Sequence, residues 1–255
     1  MVENSAPIAP IVSILVTDKG EATTRPRPLP GITARPGYRA PVTHSTVHPT
    51  DSDIVVRLAG RHEGHHVRRL LSHADPAHPD NFAGVVDLVR QGGGSHPGWS
   101  PAYTMVAADR GGRLLGAIMA GPLVKWLLGL VKQHRLTFEQ AGELSPTLMA
   151  IAAIGVDPHA RRRGVGTKLM SAMEDHLRDR GCYGVLLDYE PIVPGLADFY
   201  SALGYSLCPS DQEIILSLDP VGEVSYRPNS GYNTAVKALH ELAREIEPGL
   251  DATTA

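Results

Sequence analysis

Beyond residue 53 the chain alternates short apolar runs with amphipathic stretches, a pattern that predicts a mixed α/β domain. Ile54–Leu58 reads as a first strand, and helical spacing of apolar positions follows near residues 62–72 and 82–90. Tyr103–Ala108 and Arg113–Ala120, separated by Asp109-Arg-Gly-Gly112, predict a hairpin. The apolar run Pro122–Val131 predicts a helix packed on the domain, and it is about half as long as a membrane span and contains Lys125. An apolar strand, Leu148–Val156, then gives way to a glycine-rich turn and a helix from Thr167 to about Arg180. Tyr183–Tyr189 reads as a buried strand, Pro194–Tyr205 as a short helix ending at Gly204, and Glu213–Leu218 as a last strand. Past it, Val236, Leu239, Leu242, Ala243 and Ile246 fall on one face behind an Asn or Thr cap and predict an amphipathic helix over 233–246.

The turn after the central strand carries the most chemistry. Arg161, Gly164 and Gly166 stand in the spacing R-x-x-G-x-G, and Arg161, Arg162 and Arg163 are consecutive. Glycines there let the backbone pass close to a ligand with its N–H groups turned toward an anion, and the helix that follows adds the positive end of its dipole. Taken alone, the same residues also fit a basic surface loop capped by glycines.

The order of elements and three motifs together resemble the GNAT superfamily of N-acetyltransferases. The matching pieces are Val156-Asp-Pro158 at the end of the central strand, Arg161-x-x-Gly-x-Gly166, and Phe199-Tyr-x-x-Leu-Gly-Tyr205 in the late helix and turn. The resemblance covers roughly residues 54–218. It implies a mostly antiparallel mixed sheet splayed at its central strand and flanked by helices, with an extended N-terminal arm and a C-terminal helix outside it. Three parts follow: an arm over 1–50, an acetyltransferase domain over 51–219, and an extension over 220–255.

Under that resemblance the reaction is direct transfer of an acetyl group from acetyl coenzyme A to an amine, with a small molecule favoured as acceptor. Backbone at Ile154, Gly155 and Val156 would pair with the pantetheine arm, and Arg161, Arg162, Arg163, Gly164, Val165, Gly166 and Thr167 would hold the pyrophosphate. Glycine inside an apolar strand marks a bulge or a close backbone approach, so Gly155 fits the splay or simple packing against a neighbour. Tyr200 stands where the family places a tyrosine that can protonate the departing thiolate, and a core tyrosine with a satisfied hydroxyl is the competing reading. The central strand carries no acid or histidine to act as base. Asp188 and Glu190, at the end of the next strand, are the candidates, ahead of His134 and Glu139, and solvated loop carboxylates are the alternative for both. Val193 replaces an asparagine that family members often carry seven residues before the tyrosine.

Composition narrows the field. The 255 residues are 42% hydrophobic, enough for a sizeable core, and a net charge of −3 gives no global reason to expect nucleic acid. Two cysteines without C-x-x-C spacing, and an N-terminus lacking a positive flank and long apolar core, predict a cytoplasmic protein with no membrane role. The first 50 residues are rich in proline, threonine and arginine; within them Ile8–Val16 could add a strand or clasp a second copy in a homodimer, or belong to a mobile arm. Two other functions compete: an acyl coenzyme A sensor of the same fold, and a zinc hydrolase built on the H-E-x-x-H of His62, Glu63 and His66. No metal is expected, because Gly64 weakens a helix across that motif.

Overall fold

The computed structural model describes residues 12–17, 54–92, 99–218 and 222–240. Seven strands form the main sheet: β2 (Val55–Leu58), β3 (Tyr103–Ala108), β4 (Leu114–Pro122), β5 (Leu148–Val156), β6 (Gly184–Tyr189), β10 (Asn233–Ala238) and β7 (Ser206–Cys208), neighbours in that order. Every neighbouring pair is antiparallel except β5 and β6, which run parallel. This is the mixed, mostly antiparallel sheet that the sequence predicts.

Helices cover both faces. On one lie α5 (Val165–Asp179) and α6 (Leu196–Ala202); Leu169, Met170, Met173 and Leu177 of α5 recur at helical spacing and pack on Met149, Ile151, Val185 and Leu187 of the sheet. On the other, α1 (Gly64–Leu71) and α2 (Val85–Gln91) cover Val106, Ala117 and Ala153. The rest of that face is capped by two excursions from the sheet. Helices α3 (Val124–Lys132) and α4 (Phe138–Leu144) lie between β4 and β5, and the hairpin of β8 (Glu213–Leu218) and β9 (Gly222–Tyr226) lies between β7 and β10. Leu127, Leu130, Leu136 and Leu144 from the first excursion meet Ile214, Leu216 and Val224 from the second above Leu148, Leu186 and Val236. Trp126 Nε1 donates to the Ser225 carbonyl at 3.0 Å and Arg135 to that of Glu223 at 2.7 Å.

Two expectations fail at the C-terminal end. Residues 233–238 are a strand and not the start of a helix. The sheet buries this strand on both faces, Ala235 against α5's side and Val236 against the cap, so it lacks a strand's polar alternation and Val236 with Leu239 mimics helical spacing. Its supposed cap residues are engaged otherwise: Asn233 Oδ1 accepts from Ser210 N, and Thr234 donates to Asp188. The main sheet therefore extends past residue 219, and residues 241–255 lie outside the described part. Glu213–Leu218 is a strand, as expected, but it belongs to a separate sheet in which β1 (Val12–Thr17) pairs antiparallel with it and β9 takes the other side. The apolar piece of the N-terminal arm thus adds a strand; the rest of residues 1–50, and the glycine-rich loop at 93–98, are not among the described residues.

Candidate active site

A gap opens in the middle of the main sheet. β5 and β6 pair only over Leu148–Ala150 with Gly184–Leu186, so from Ile151 to Val156 the side of β5 facing β6 has no strand beside it. The register between β4 and β5 slips between Met119 and Ala120, leaving Ala152 as an extra residue on β5. Ala152 is exposed although it sits on a central strand. The bulge is therefore at Ala152 and not at Gly155, whose glycine has another cause: a Cβ there would overlap the Leu70 carbonyl oxygen and stand 3.0 Å from Leu71 Cα. Packing of α1 across β5 demands it.

Beyond Val156 the chain turns into α5 through a shaped loop. Asp157 accepts a hydrogen bond from His159 N at 2.9 Å and pairs with Arg113 at 3.1 Å, and the His159 N–H with the Arg113 guanidinium holds its carboxyl below the usual range. Arg162 and Gly164 then take left-handed conformations, at φ 60° and 74°. Such turns present successive N–H groups on one side. Among the described residues no acceptor meets the backbone N–H groups of Arg162 to Thr167, and the first turn of α5 holds no acid. Arg161, Arg162 and Arg163 are exposed around it. At Gly166 the nearest atom to an added Cβ is Phe199 Cζ at 3.5 Å, so the protein's own packing does not require glycine.

Tyr200 comes from α6 into the same region. Its ring lies against Tyr189, Phe199 and Tyr205, at 5.4, 5.2 and 6.0 Å between centroids. Burial, with Tyr189 adding to it, pushes the phenol up to about 12. Its hydroxyl has no hydrogen-bond partner among the described residues. Tyr205 differs: its hydroxyl donates to Glu174 Oε1 at 2.9 Å, and Lys237 Nζ pairs with Glu174 Oε2 at 2.6 Å. The satisfied core tyrosine is Tyr205, not Tyr200.

The two carboxylates at the end of β6 part company. Asp188 is half-buried and accepts from three side chains, Thr234 Oγ1 at 2.6 Å on Oδ1, Asn229 Nδ2 at 2.6 Å on Oδ2, and Tyr226 Oη at 3.3 Å from both. Glu190 is exposed, and among the described residues its side chain meets only Tyr232 Oη, at 3.5 Å. His134 and Glu139 are exposed around α4, away from β6 in the chain and with no described contact to it. Glu63 is committed to structure. Arg57 grips it with two nitrogens at 2.7 Å, Gly60 N donates at 2.6 Å, and the guanidinium holds its carboxyl down to about 2. His62 lies in the turn before α1, so the H-E-x-x-H is not on one helix face; among the described residues no three His, Cys, Asp or Glu are grouped to hold a metal. Cys182 and Cys208 are buried free thiols, and burial pushes Cys182 up to about 12.

The sequence does not announce the bulge at Ala152 or the cradle of Tyr226, Asn229 and Thr234 around Asp188. A bulge of two alanines has no composition of its own, and the cradle joins residues 38 to 46 positions apart. The one usable signal is the strand at 233–238, which brings Thr234 beside Asp188.

The model of the acetyltransferase (GNAT) family matches residues 77–205. Solved structures similar to this chain include Ard1 from Thermoplasma volcanium, at 18% identity over 74% of this chain and 99% of that one, TM-score 0.47. Drosophila melanogaster polyamine N-acetyltransferase is similar at 22% identity over 73% and 100%, TM-score 0.45, and the IAA acetyltransferase from Bacillus cereus at 16% over 72% and 99%, TM-score 0.43. No curated protein matches the sequence.

Proposed function

Because this chain belongs to the acetyltransferase (GNAT) family, we propose that it is an acetyl coenzyme A dependent N-acetyltransferase acting on a small amine. The observation that carries this reading is the pairing of an open phosphate cradle with a buried, unpartnered Tyr200 at one end of the splayed sheet.

Acetyl coenzyme A supplies the thioester: the amine nitrogen bonds to the acetyl carbon, the carbon–sulfur bond breaks, and the sulfur leaves as the thiol. The N–H groups of residues 162–167, which meet no acceptor among the described residues, and the three arginines suit its pyrophosphate, and the absence of a packing reason for glycine at Gly166 suits a ligand passing close by. The unpaired side of Ile154, Gly155 and Val156 suits the pantetheine amides, as an added strand would. Backbone N–H groups freed by the bulge at Ala152 can stabilise charge on the thioester oxygen, a contribution of about 3 kcal/mol where donors are preorganised.

Tyr200 keeps its proton through the neutral range and can deliver it to the sulfur, since no other group among the described residues claims its hydroxyl. Glu190, open to solvent, takes the amine's proton directly or through water; Asp188 is less suited, with three donors already on it. Neither buried cysteine is a thiolate at neutral pH, which favours direct transfer over an acyl-enzyme. The place of action we propose is the cytoplasm; among the described residues no helix is long and apolar enough to cross a membrane.

The test is calorimetric titration of the full chain with acetyl coenzyme A, followed by thiol release across a panel of amines. Saturable binding with amine-dependent release is expected. Binding without release from any amine turns the reading to a sensor, and absence of binding removes it.

A further inference from the structure

Among the described residues the two buried carboxylates, Glu63 and Glu174, each hold a cation of the chain, as do the half-buried Asp157 and Glu213. Glu63 has Arg57, and Glu174 has Lys237. Asp188 has neutral partners alone, Tyr226, Asn229 and Thr234, and no lysine, arginine or histidine pairs with it among the described residues. Withdrawing a carboxylate from water without a counter-charge is costly, and neutral donors hold such an anion in place without cancelling it.

Its position gives that charge a use. Asp188 stands two residues beyond the last bridge between β5 and β6, where Ala150 meets Leu186. Continuing that register would set it across the gap from Ala152, the small, exposed bulge residue. The carboxylate missing from β5 is thus offered by β6, on the far side of the opening. Beside it the Tyr226 ring packs edge to face on Trp126 at 6.3 Å, so aromatic surface adjoins the anion. A carboxylate flanked by aromatic rings is a setting that attracts organic cations.

We infer that Asp188 binds a persistent positive charge on the acceptor, so that the acceptor carries a second cationic group besides the amine that is acylated. The attacking nitrogen must be neutral to offer its lone pair, and Asp188, held by three neutral donors with acceptor capacity to spare, suits a fixed cation better than that nitrogen's departing proton. A second ammonium or guanidinium fits both facts. The inference rests on the transferase reading and specifies its substrate class.

The experiment compares three acceptors of matched length, a diaminobutane, an aminobutanol and an aminobutyrate, by thiol release and by calorimetry on the full chain with acetyl coenzyme A present. The wild-type protein is expected to favour the diamine over the amino alcohol by about 10- to 100-fold in kcat/KM, expressed in KM, with the amino acid poorest. Asp188→Asn should erase that preference and leave acetyl coenzyme A affinity unchanged, whereas a purely structural role would weaken all three acceptors alike. Tyr226→Phe, which removes a donor and keeps the charge, should retain the preference. A wild-type protein without diamine preference, a preference that survives Asp188→Asn, or no diamine binding to the acetyl coenzyme A complex overturns the inference. Should Asp188→Asn fail to fold, the wild-type ranking and the Tyr226→Phe result decide. Loss of acetyl coenzyme A binding in the wild type would instead strike the transferase reading itself.

Discussion

The two sides of the cleft are built on different principles. On one side, the residues proposed to hold the cofactor, 154–156 and 161–167, lie within a single stretch, and the turn, the glycines and the helix start are neighbours in sequence. On the other, the cap over β6 and β10 comes from two excursions whose bonds span 88 and 99 positions, Arg135 to Glu223 and Trp126 to Ser225. A site made of consecutive residues can be read from a motif; one made by the meeting of distant loops cannot. The contrast also divides labour, since the local side suits an invariant ligand fragment and the assembled side is free to suit a particular acceptor.

The sharpest way to break this comparison is Gly164→Glu. It forces a side chain onto a left-handed residue and sets a carboxylate in the cradle, so acetyl coenzyme A affinity should fall by about 1000-fold, as calorimetry would read, with the cap intact. Affinity like that of the wild type would mean the cradle holds nothing. Gly155→Ala tests whether α1 rather than a ligand claims that glycine: a methyl driven against the Leu70 carbonyl should cost about 3 kcal/mol, lowering Tm by roughly 6–12 °C. Unchanged Tm would return Gly155 to the ligand.

Tyr200→Phe removes only a hydroxyl that has no partner among the described residues. Thermal stability should hold, while kcat drops by about 100-fold at constant acetyl coenzyme A affinity. An unaltered kcat would pass the acid's role to another group. Smallest is Trp126→Phe, which deletes one hydrogen bond across the cap; about 1 kcal/mol of stability should go, with acceptor KM rising and cofactor affinity untouched. Equal losses on both sides of the cleft would show that the two are not independent.

Much of the fold from Ile54 to Gly204 was legible because most elements there have a period or a punctuation mark of their own; α4 and the three-residue β7, too short to show one, are not among those the sequence announces. The β3–β4 hairpin carries Asp109-Arg-Gly-Gly112, and α5 carries its buried stripe. Legibility failed where tertiary contacts overrule local pattern. The α1 helix begins at Gly64 rather than His62, with Glu63 at its cap drawn to Arg57 and to Gly60 N. β10 hides its strand character because it is covered on both faces. In the candidate site, the glycine-rich turn and Tyr200 are marked by motif and Asp188 by its place at a strand end, but the hydrogen bonds around Asp188 come from Tyr226, Asn229 and Thr234, which no spacing connects to it.

The insertion of β10 between β6 and β7 has a consequence for how the chain matures during synthesis. Helices α5 and α6 and strands β6 and β7 are all synthesised before Asn233–Ala238. Until then β6 keeps one bare edge, β7 has no strand to join, and Glu174 is an anion beneath Tyr205 with no ammonium to meet it. The last described strand is therefore the keystone of the sheet, and the nascent protein passes through an interval in which the candidate site is written but its sheet cannot yet close.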